Sequence, residues 1–71
     1  MLTKNDAIKV GQALVDAFNK EMESTRNTDT PTARGVTYSA LGNIWYDVLT
    51  VNTREKFGYN FEAFLTSCDW K

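Results

Sequence analysis

Cys68 is the residue whose type best suits nucleophilic chemistry, since a thiolate is intrinsically very nucleophilic. A thiol becomes reactive when a neighbouring base or cation lowers its pKa, and the chain contains no histidine to act as that base. Ser39, a second candidate nucleophile, lies in no glycine-rich elbow. The position of Cys68 on the apolar stripe of the final helical segment predicts a small buried side chain. We therefore predict no catalytic residue and no enzyme activity.

Paired carboxylates are the other source of acid–base chemistry in this chain. Asp6 with Asp16, and Glu21 with Glu23, are spaced along one predicted helix, and no apolar surroundings there would raise a pKa. We interpret them as a solvated face. A single cysteine without histidine excludes zinc sites built from these ligands, and no phosphate-loop, dinucleotide or calcium-loop motif is present. The sequence predicts no metal site and no cofactor.

The length and net charge of the chain limit the number of domains and the classes of partner that can be expected. A chain of 71 residues forms at most one small domain, and such a domain buries only about 60% of its unfolded surface. One cysteine forms no internal disulfide, so self-association is the remaining way to supplement a small core. The net charge of −1 favours no class of partner.

The expected location is the cytoplasm. The first ten residues, MLTKNDAIKV, lack the apolar stretch of a secretory signal, and no window has the roughly 18 to 20 apolar residues of a membrane span. A single free cysteine agrees with a reducing compartment. We expect no membrane partner.

The first half of the chain predicts one helix and one long loop. Thr3 and Asp6 are spaced as an N-terminal cap, and apolar residues then recur every three or four positions, which predicts a helix over 4–23. Residues 24–37 contain five threonines, the only proline and a glycine, so they are predicted to form a loop. Gly11, on the apolar side of this helix, is expected to allow the second helix to approach closely.

The second half predicts two further helices, over 38–51 and 60–68. Thr37 or Ser39 is expected to cap the first of them and Asn60 the second, with Gly58 ending the turn between them. Three apolar stripes then form the walls of one core. These are Leu14/Phe18, Leu41/Trp45/Val48 and Phe61/Phe64/Leu65/Cys68. The expected fold is all-α, a compact three-helix, bundle-like domain with a long loop between helices 1 and 2.

The outer face of the second predicted helix is the leading candidate for a binding surface. Residues 38–51 carry one charge, Asp47, although an exposed helix face usually carries several. Tyr46 supplies an aromatic anchor of the kind that protein interfaces favour. The alternative is that this helix is covered by its own chain. The proposed partner-binding residues are Ser39, Gly42, Asn43, Tyr46 and Thr50.

Nucleic-acid binding is the alternative function. Arg26 and Arg34 in the predicted loop are candidate contacts, and Arg54 and Lys56 lie in the later turn. A helix-turn-helix reading places residues 61–70 in the groove, where acidic side chains and the absence of Arg, Lys, Asn or Gln disfavour base contact. The sequence therefore favours a protein partner, with a homo-oligomer as one form of it.

The second half also resembles a group of small bacteriophage and prophage proteins. The resemblance is carried by Ala40-Leu41-Gly42, Trp45, Leu49 and Phe57, and then by F-x-x-F-L-x-x-C over residues 61–68. Those proteins end in a phenylalanine-rich helix of the form F-x-x-x-x-F-L-x-x-C, so the spacing here is two residues shorter. The resemblance implies a phage accessory protein that acts inside the infected bacterium. The resulting hypothesis is a small protein-interaction module that binds or inhibits a host or phage protein.

Overall fold

The computed structural model describes residues 2–24 and 30–70, and every regular element in these ranges is a helix. The elements are α1 (Lys4–Ser24), α2 (Thr30–Asn43), a π-helical turn (Ile44–Val48), α3 (Val51–Glu55) and α4 (Phe61–Ser67). The all-α prediction is confirmed. The described part holds four α-helices where three helices were expected.

Helix α1 begins as its sequence indicates. The Thr3 hydroxyl accepts a hydrogen bond from the Asp6 N–H at 3.1 Å, which satisfies one of the exposed amides of the first turn. Its buried positions, Ala7, Gly11 and Val15, recur every four residues and form one stripe. No described residue of α1 after Val15 is fully buried, so the core lies at the N-terminal end of this helix.

Helix α2 begins eight residues earlier than predicted. The expected loop over 24–37 is wrong for residues 30–37, which are helical, and for Ser24, which ends α1; residues 25–29 lie outside the described part. Pro31 is the second residue of α2, where its missing N–H costs nothing because the first amides of a helix have no internal acceptor. Thr37 is therefore not a cap. Its hydroxyl donates to the Ala33 carbonyl one turn earlier, at 3.0 Å.

The π-helical turn changes which side chains face the core. The Leu49 N–H donates to the Ile44 carbonyl at 2.9 Å, five residues back, so this turn contains one more residue than an α-turn. The regular spacing that assigned Val48 to the core is broken, and Val48 is 51% exposed. Leu49 takes its place and is 4% exposed. The predicted wall Leu41/Trp45/Val48 is thus corrected to Leu41/Trp45/Leu49.

Helix α3 is one short turn that holds the connection to α4. Thr50 caps it by accepting a hydrogen bond from the Thr53 N–H at 3.3 Å. The Thr53 hydroxyl donates to the Leu2 carbonyl at 2.8 Å, which ties the start of the described chain to α3. Asn60 caps α4 as predicted, since its side-chain oxygen accepts from the Glu62 N–H at 2.9 Å.

Both α3 and α4 end in a left-handed turn of the Schellman type. After α3, the Gly58 N–H donates to the Glu55 carbonyl and the Tyr59 N–H to the Arg54 carbonyl, at 2.8 and 2.9 Å. Gly58 has a φ of +68°, so its predicted role in ending this turn is confirmed. The same pair of bonds follows α4, from Asp69 to Thr66 at 3.1 Å and from Trp70 to Leu65 at 3.0 Å.

The core is formed where α4 closes over α1 and the π-helical turn. Phe64 is fully buried and its ring lies near those of Trp45 and Phe57, at centroid distances of 5.6 and 5.4 Å. Each large apolar side chain buried in this way contributes roughly 1.5–3 kcal/mol. The buried apolar residues are Ala7, Val15, Leu41, Ile44, Trp45, Leu49, Phe57, Phe64, Leu65 and Cys68. Leu14, Phe18 and Phe61, expected in the core walls, are partly buried.

Gly11 is confirmed as a packing glycine, but its neighbour is not the second helix. A methyl group added at Gly11 would overlap Sγ of Cys68 and lie 3.3 Å from Cζ of Phe64. The element that approaches α1 at this point is therefore α4 and the residue that follows it.

Candidate functional site

Four aromatic rings from different parts of the chain form a continuous row. The ring of Trp70 lies 6.2 Å from that of Tyr38, Tyr38 lies 5.6 Å from Phe61, and Phe61 lies 6.0 Å from Tyr46. We call Trp70, Tyr38, Phe61 and Tyr46 the aromatic row. The spacings fall in the range in which aromatic rings attract one another. The row therefore has a fixed arrangement before any partner binds.

Much of this aromatic surface is exposed to solvent. Tyr46 is 64% exposed and Tyr38 is 43% exposed, while Phe61 and Trp70 are partly buried. Tyr59, close to one end of the row, is 62% exposed. Exposed aromatic rings that lie together, and not singly, are a feature of surfaces that bind other molecules.

One end of the row forms a groove beside Arg54, with a volume of about 460 Å³. We call it the Arg54 groove. Arg54 is partly buried, and its Nε is buried without a hydrogen-bond acceptor among the described residues. The residues that line the groove are Trp45, Tyr46, Arg54, Tyr59, Asn60 and Phe61.

Tyr59 is placed on this groove by an unfavourable backbone conformation. Its φ is +55°, in the left-handed region that a bulky side chain rarely adopts. Such a conformation costs on the order of 1–3 kcal/mol. It is held by the hydrogen bond from the Tyr59 N–H to the Arg54 carbonyl, at 2.9 Å. The turn that ends α3 thus keeps Tyr59 on the same groove as Arg54.

The other end of the row is capped by an arginine. The guanidinium carbon of Arg34 lies 4.4 Å from the centre of the Trp70 ring, a cation–π contact. Trp70 also packs against Phe18 of α1, with 5.6 Å between ring centroids. A second groove, of about 370 Å³, runs between these residues and Asp69. Arg34 is therefore a residue of α2 that rests on Trp70, and not part of a loop.

Only some of the predicted partner-binding residues lie at the aromatic row. Tyr46 belongs to the aromatic row, and Ser39 and Asn43 are exposed on α2. A methyl group at Gly42 would lie 4.0 Å from the Phe61 ring, so Gly42 borders the row. Thr50 lies beyond the end of the helix, and its hydroxyl caps α3. Its expected place on one helical face is therefore wrong.

The residues that sequence reasoning missed are those that complete the surface. Tyr38 lies at the start of a predicted helix and Phe61 was assigned to a core wall. Neither of them, nor Tyr59, was expected beside Tyr46. The available signal was the number of aromatic residues between 38 and 70, but their grouping depends on where the fold places Phe61 of α4 relative to α2. Only the three-dimensional arrangement brings them together.

The cations proposed for nucleic-acid contact do not gather at one point of the described surface. Arg34 lies on Trp70 and Arg54 lines the groove near Tyr46, so they stand at the two ends of the row. Lys56 is exposed after α3. Arg26 lies outside the described residues. Carboxylates of Asp47, Glu62 and Asp69 are exposed next to row residues in the sequence.

Cys68 is shielded from chemistry by its position in the core. The residue is fully buried, and its Sγ lies 3.9 Å from the Ile8 carbonyl as a weak donor. Burial, with a smaller effect of the Asp69 carboxylate, raises the pKa of Cys68 to about 11. The thiol is therefore protonated at neutral pH, as expected of a structural cysteine.

In the described part of the chain, no group of three or more His, Cys, Asp or Glu side chains is arranged to hold a metal ion. No helix among the described residues has the length and apolar content needed to cross a bilayer.

No family model, no curated protein and no solved structure matches this chain. The function proposed below therefore rests on the surface just described.

Proposed function

We propose that this protein is a small, non-enzymatic interaction module that binds another protein through the aromatic row and the Arg54 groove. The observation that carries the proposal is the row itself, in which Tyr46 and Tyr38 are 64% and 43% exposed although both rings pack against Phe61, that of Tyr38 in a T-shaped arrangement and that of Tyr46 tilted. Tyr, Trp and Arg are the residues that contribute most often to binding energy at protein interfaces.

Preorganisation supports this use of the surface. The rings are packed against one another and against the core, since Phe61 also contacts Trp45 and Phe64 at 5.9 and 6.4 Å between centroids. A partner would therefore not have to order these side chains, a step that otherwise costs about 0.5–1.5 kcal/mol for each flexible side chain. The mechanism is steric. The module covers a surface of its partner and can thereby inhibit it.

The same surface suits a partner protein better than a nucleic acid. Stacking of bases on aromatic rings would use a similar row, but such sites also have a cationic groove that follows the phosphates. Here the two arginines stand at opposite ends, and exposed carboxylates follow or precede the ring residues in the sequence. Nucleic-acid binding, the second candidate, predicts affinity for a single-stranded oligonucleotide that falls steeply with added salt.

The resemblance to small phage proteins extends the proposal to its setting. On that reading the protein is a phage accessory protein, it acts in the cytoplasm of the infected bacterium, and its partner is a host or phage protein. The support for this setting is the sequence pattern shared with those phage proteins. A second copy of the chain is a further candidate partner, because the net charge of −1 opposes self-association little.

Site-specific photo-cross-linking tests the proposal. A photoreactive phenylalanine analogue replaces Tyr46 in one variant and Val36 in the other. These positions are matched in exposure, at 64% and 66%, but only Tyr46 belongs to the row. We expect a discrete protein adduct, identified by mass spectrometry, from position 46 and none from position 36. Equal adducts from both positions, or none from position 46, would contradict the proposal.

A further inference from the structure

The side chain of Arg54, which lines the Arg54 groove, contains a hydrogen-bond donor that lacks an acceptor among the described residues. Its Nε is buried and has no acceptor among the described residues, although an arginine side chain is charged at any physiological pH. A buried donor left without an acceptor is unfavourable, and more so in a charged group. Nε is thus removed from water without a compensating hydrogen bond from the described residues.

The side-chain amide of Asn60 supplies a second donor to the groove. Its oxygen already accepts one hydrogen bond, from the Glu62 N–H at 2.9 Å. The remaining part of that amide is its NH₂ group, which only donates. A groove that offers a guanidinium and an amide NH₂ is complementary to a ligand that accepts hydrogen bonds.

The charge and the aromatic walls of the groove indicate which class of hydrogen-bond acceptor fits it. Among the described residues that line the groove, Arg54 is the only charged one, and Trp45, Tyr46, Tyr59 and Phe61 supply aromatic walls. We infer that the Arg54 groove binds a carboxylate carried beside an apolar group, that of an aspartate or glutamate in the partner protein. This inference rests on the proposed function.

The physical basis is the match between a guanidinium and a carboxylate. The planar fork of arginine can donate two parallel hydrogen bonds to the two carboxylate oxygens, and such charge-assisted bonds are about twice as strong as neutral ones. Aromatic walls exclude water and strengthen the attraction. The rings of Tyr46 and Tyr59, both well exposed, provide the surface on which the neighbouring apolar group lies.

Two blocked dipeptides test this inference directly. Acetyl-Phe-Glu-amide and acetyl-Phe-Gln-amide have the same size and differ only in the carboxylate. Each is titrated into the full-length protein labelled with ¹⁵N, and the Arg54 Nε–H signal and the ring signals of Tyr46 and Tyr59 are followed by NMR. We expect saturable shifts with the Glu peptide and an affinity at least about tenfold lower with the Gln peptide.

A matched pair of variants assigns the effect to the groove. Arg54→Gln and Lys56→Gln each remove one positive charge, but Lys56 is an exposed residue that does not line the groove. We expect Arg54→Gln to lower the affinity for the Glu peptide at least about tenfold and Lys56→Gln to leave it within about twofold. Phenyl phosphate is titrated in parallel as the other common oxyanion.

Four results would overturn the inference. These are equal affinity for the two peptides, an undiminished affinity in Arg54→Gln, no saturable shift with the Glu peptide, or tighter binding of phenyl phosphate than of that peptide. None of them bears on cross-linking at Tyr46, so failure of the carboxylate site remains distinguishable from failure of the proposed interaction surface.

Discussion

The side chain of Cys68 occupies the space that a β-carbon would take at Gly11. A methyl group on Gly11 would overlap Sγ of Cys68, and both residues are buried. This relationship explains why a glycine is placed inside a long helix, where it costs about 1 kcal/mol relative to alanine. It also fixes how closely α4 approaches α1, and α4 carries Phe61 of the aromatic row.

Gly11→Ala should therefore destabilise the protein although alanine favours the helix. We expect the steric overlap to outweigh the gain in helix propensity and to lower the free energy of unfolding by about 1–2 kcal/mol. Chemical denaturation followed by far-UV circular dichroism measures this. Gly35→Ala is the matched control, because nothing lies within 4 Å of a methyl group there, and it should be neutral or stabilising.

A double-mutant cycle separates this contact from other effects of the substitution. Cys68→Ala removes Sγ, so Gly11→Ala should cost at least about 1 kcal/mol less in the Cys68→Ala background than in the wild type. If the two costs were equal, the overlap between Gly11 and Cys68 would not be the cause of the destabilisation.

Stability should fall in alkaline solution because of the buried thiol. Burial raises the pKa of Cys68 to about 11 in the folded protein, whereas an unfolded cysteine has a pKa of about 8.5. The unfolded state therefore loses the proton first as the pH rises. The contribution to stability is complete below about pH 8.5 and is lost between that pH and about 11.

Urea denaturation of the wild type and Cys68→Ala at several pH values tests this. All other ionisable groups are common to the two proteins, so the difference between the wild type and the variant isolates the thiol. The wild type should lose more of its free energy of unfolding above about pH 8.5 than the variant does. If the free energy of unfolding changed with pH in the same way in both proteins, the buried Cys68 thiol would not have a raised pKa.

The turn after α4 is a place where stability can be gained. Asp69 has a φ of +63° at the position where Schellman turns usually have glycine. Its negative charge also lies at the C-terminal end of a helix dipole, which is unfavourable. Asp69→Gly should raise the free energy of unfolding by about 0.5–1 kcal/mol, after loss of the 3.4 Å hydrogen bond from Gln12.

Gly58→Ala tests the corresponding turn after α3 by removing the glycine from the left-handed position. Gly58 has a φ of +68°, so alanine there should lower the free energy of unfolding by about 1 kcal/mol. A stabilised Gly58→Ala protein, or a destabilised Asp69→Gly protein, would be inconsistent with these two turns.

Tyr59 should be a residue at which stability and binding change in opposite directions. Asparagine tolerates the left-handed conformation that Tyr59 adopts at a φ of +55°, so Tyr59→Asn should keep or raise the free energy of unfolding, by up to about 1 kcal/mol. The same substitution removes an exposed ring from the Arg54 groove. Affinity for the partner identified by cross-linking should therefore fall, and unchanged affinity would remove Tyr59 from the binding surface.

Local signals in the sequence predicted the elements that depend on local interactions. Thr3 and Asn60 cap α1 and α4 as expected, because a cap needs only a side chain and the next few amides. The start of α2 was missed because threonine, proline and glycine indicate a loop by composition. The useful signal was Pro31, which is favourable at the start of a helix and unfavourable inside one.

The rest depends on contacts between distant residues. The π-helical turn moves Val48 outward and Leu49 inward, and a regular helical period could not indicate this shift. The aromatic row joins Tyr38 of α2, Tyr46 of the π-helical turn, Phe61 of α4 and Trp70 beyond it. Of these, only Tyr46 was predicted as a binding residue, since the position of α4 beside α2 is set by the packing of the whole core.

The affinity of two lysine variants for the cross-linked partner tests the central claim most directly. Tyr46→Lys and Val36→Lys introduce the same charge at positions that are 64% and 66% exposed, so neither places the charge in the core, and chemical denaturation checks that both variants are folded. We predict that Tyr46→Lys lowers the affinity at least about tenfold, the loss expected for a residue that dominates an interface, while Val36→Lys stays within about twofold of wild type. Equal affinities for the two variants would contradict the assignment of the aromatic row as the binding surface.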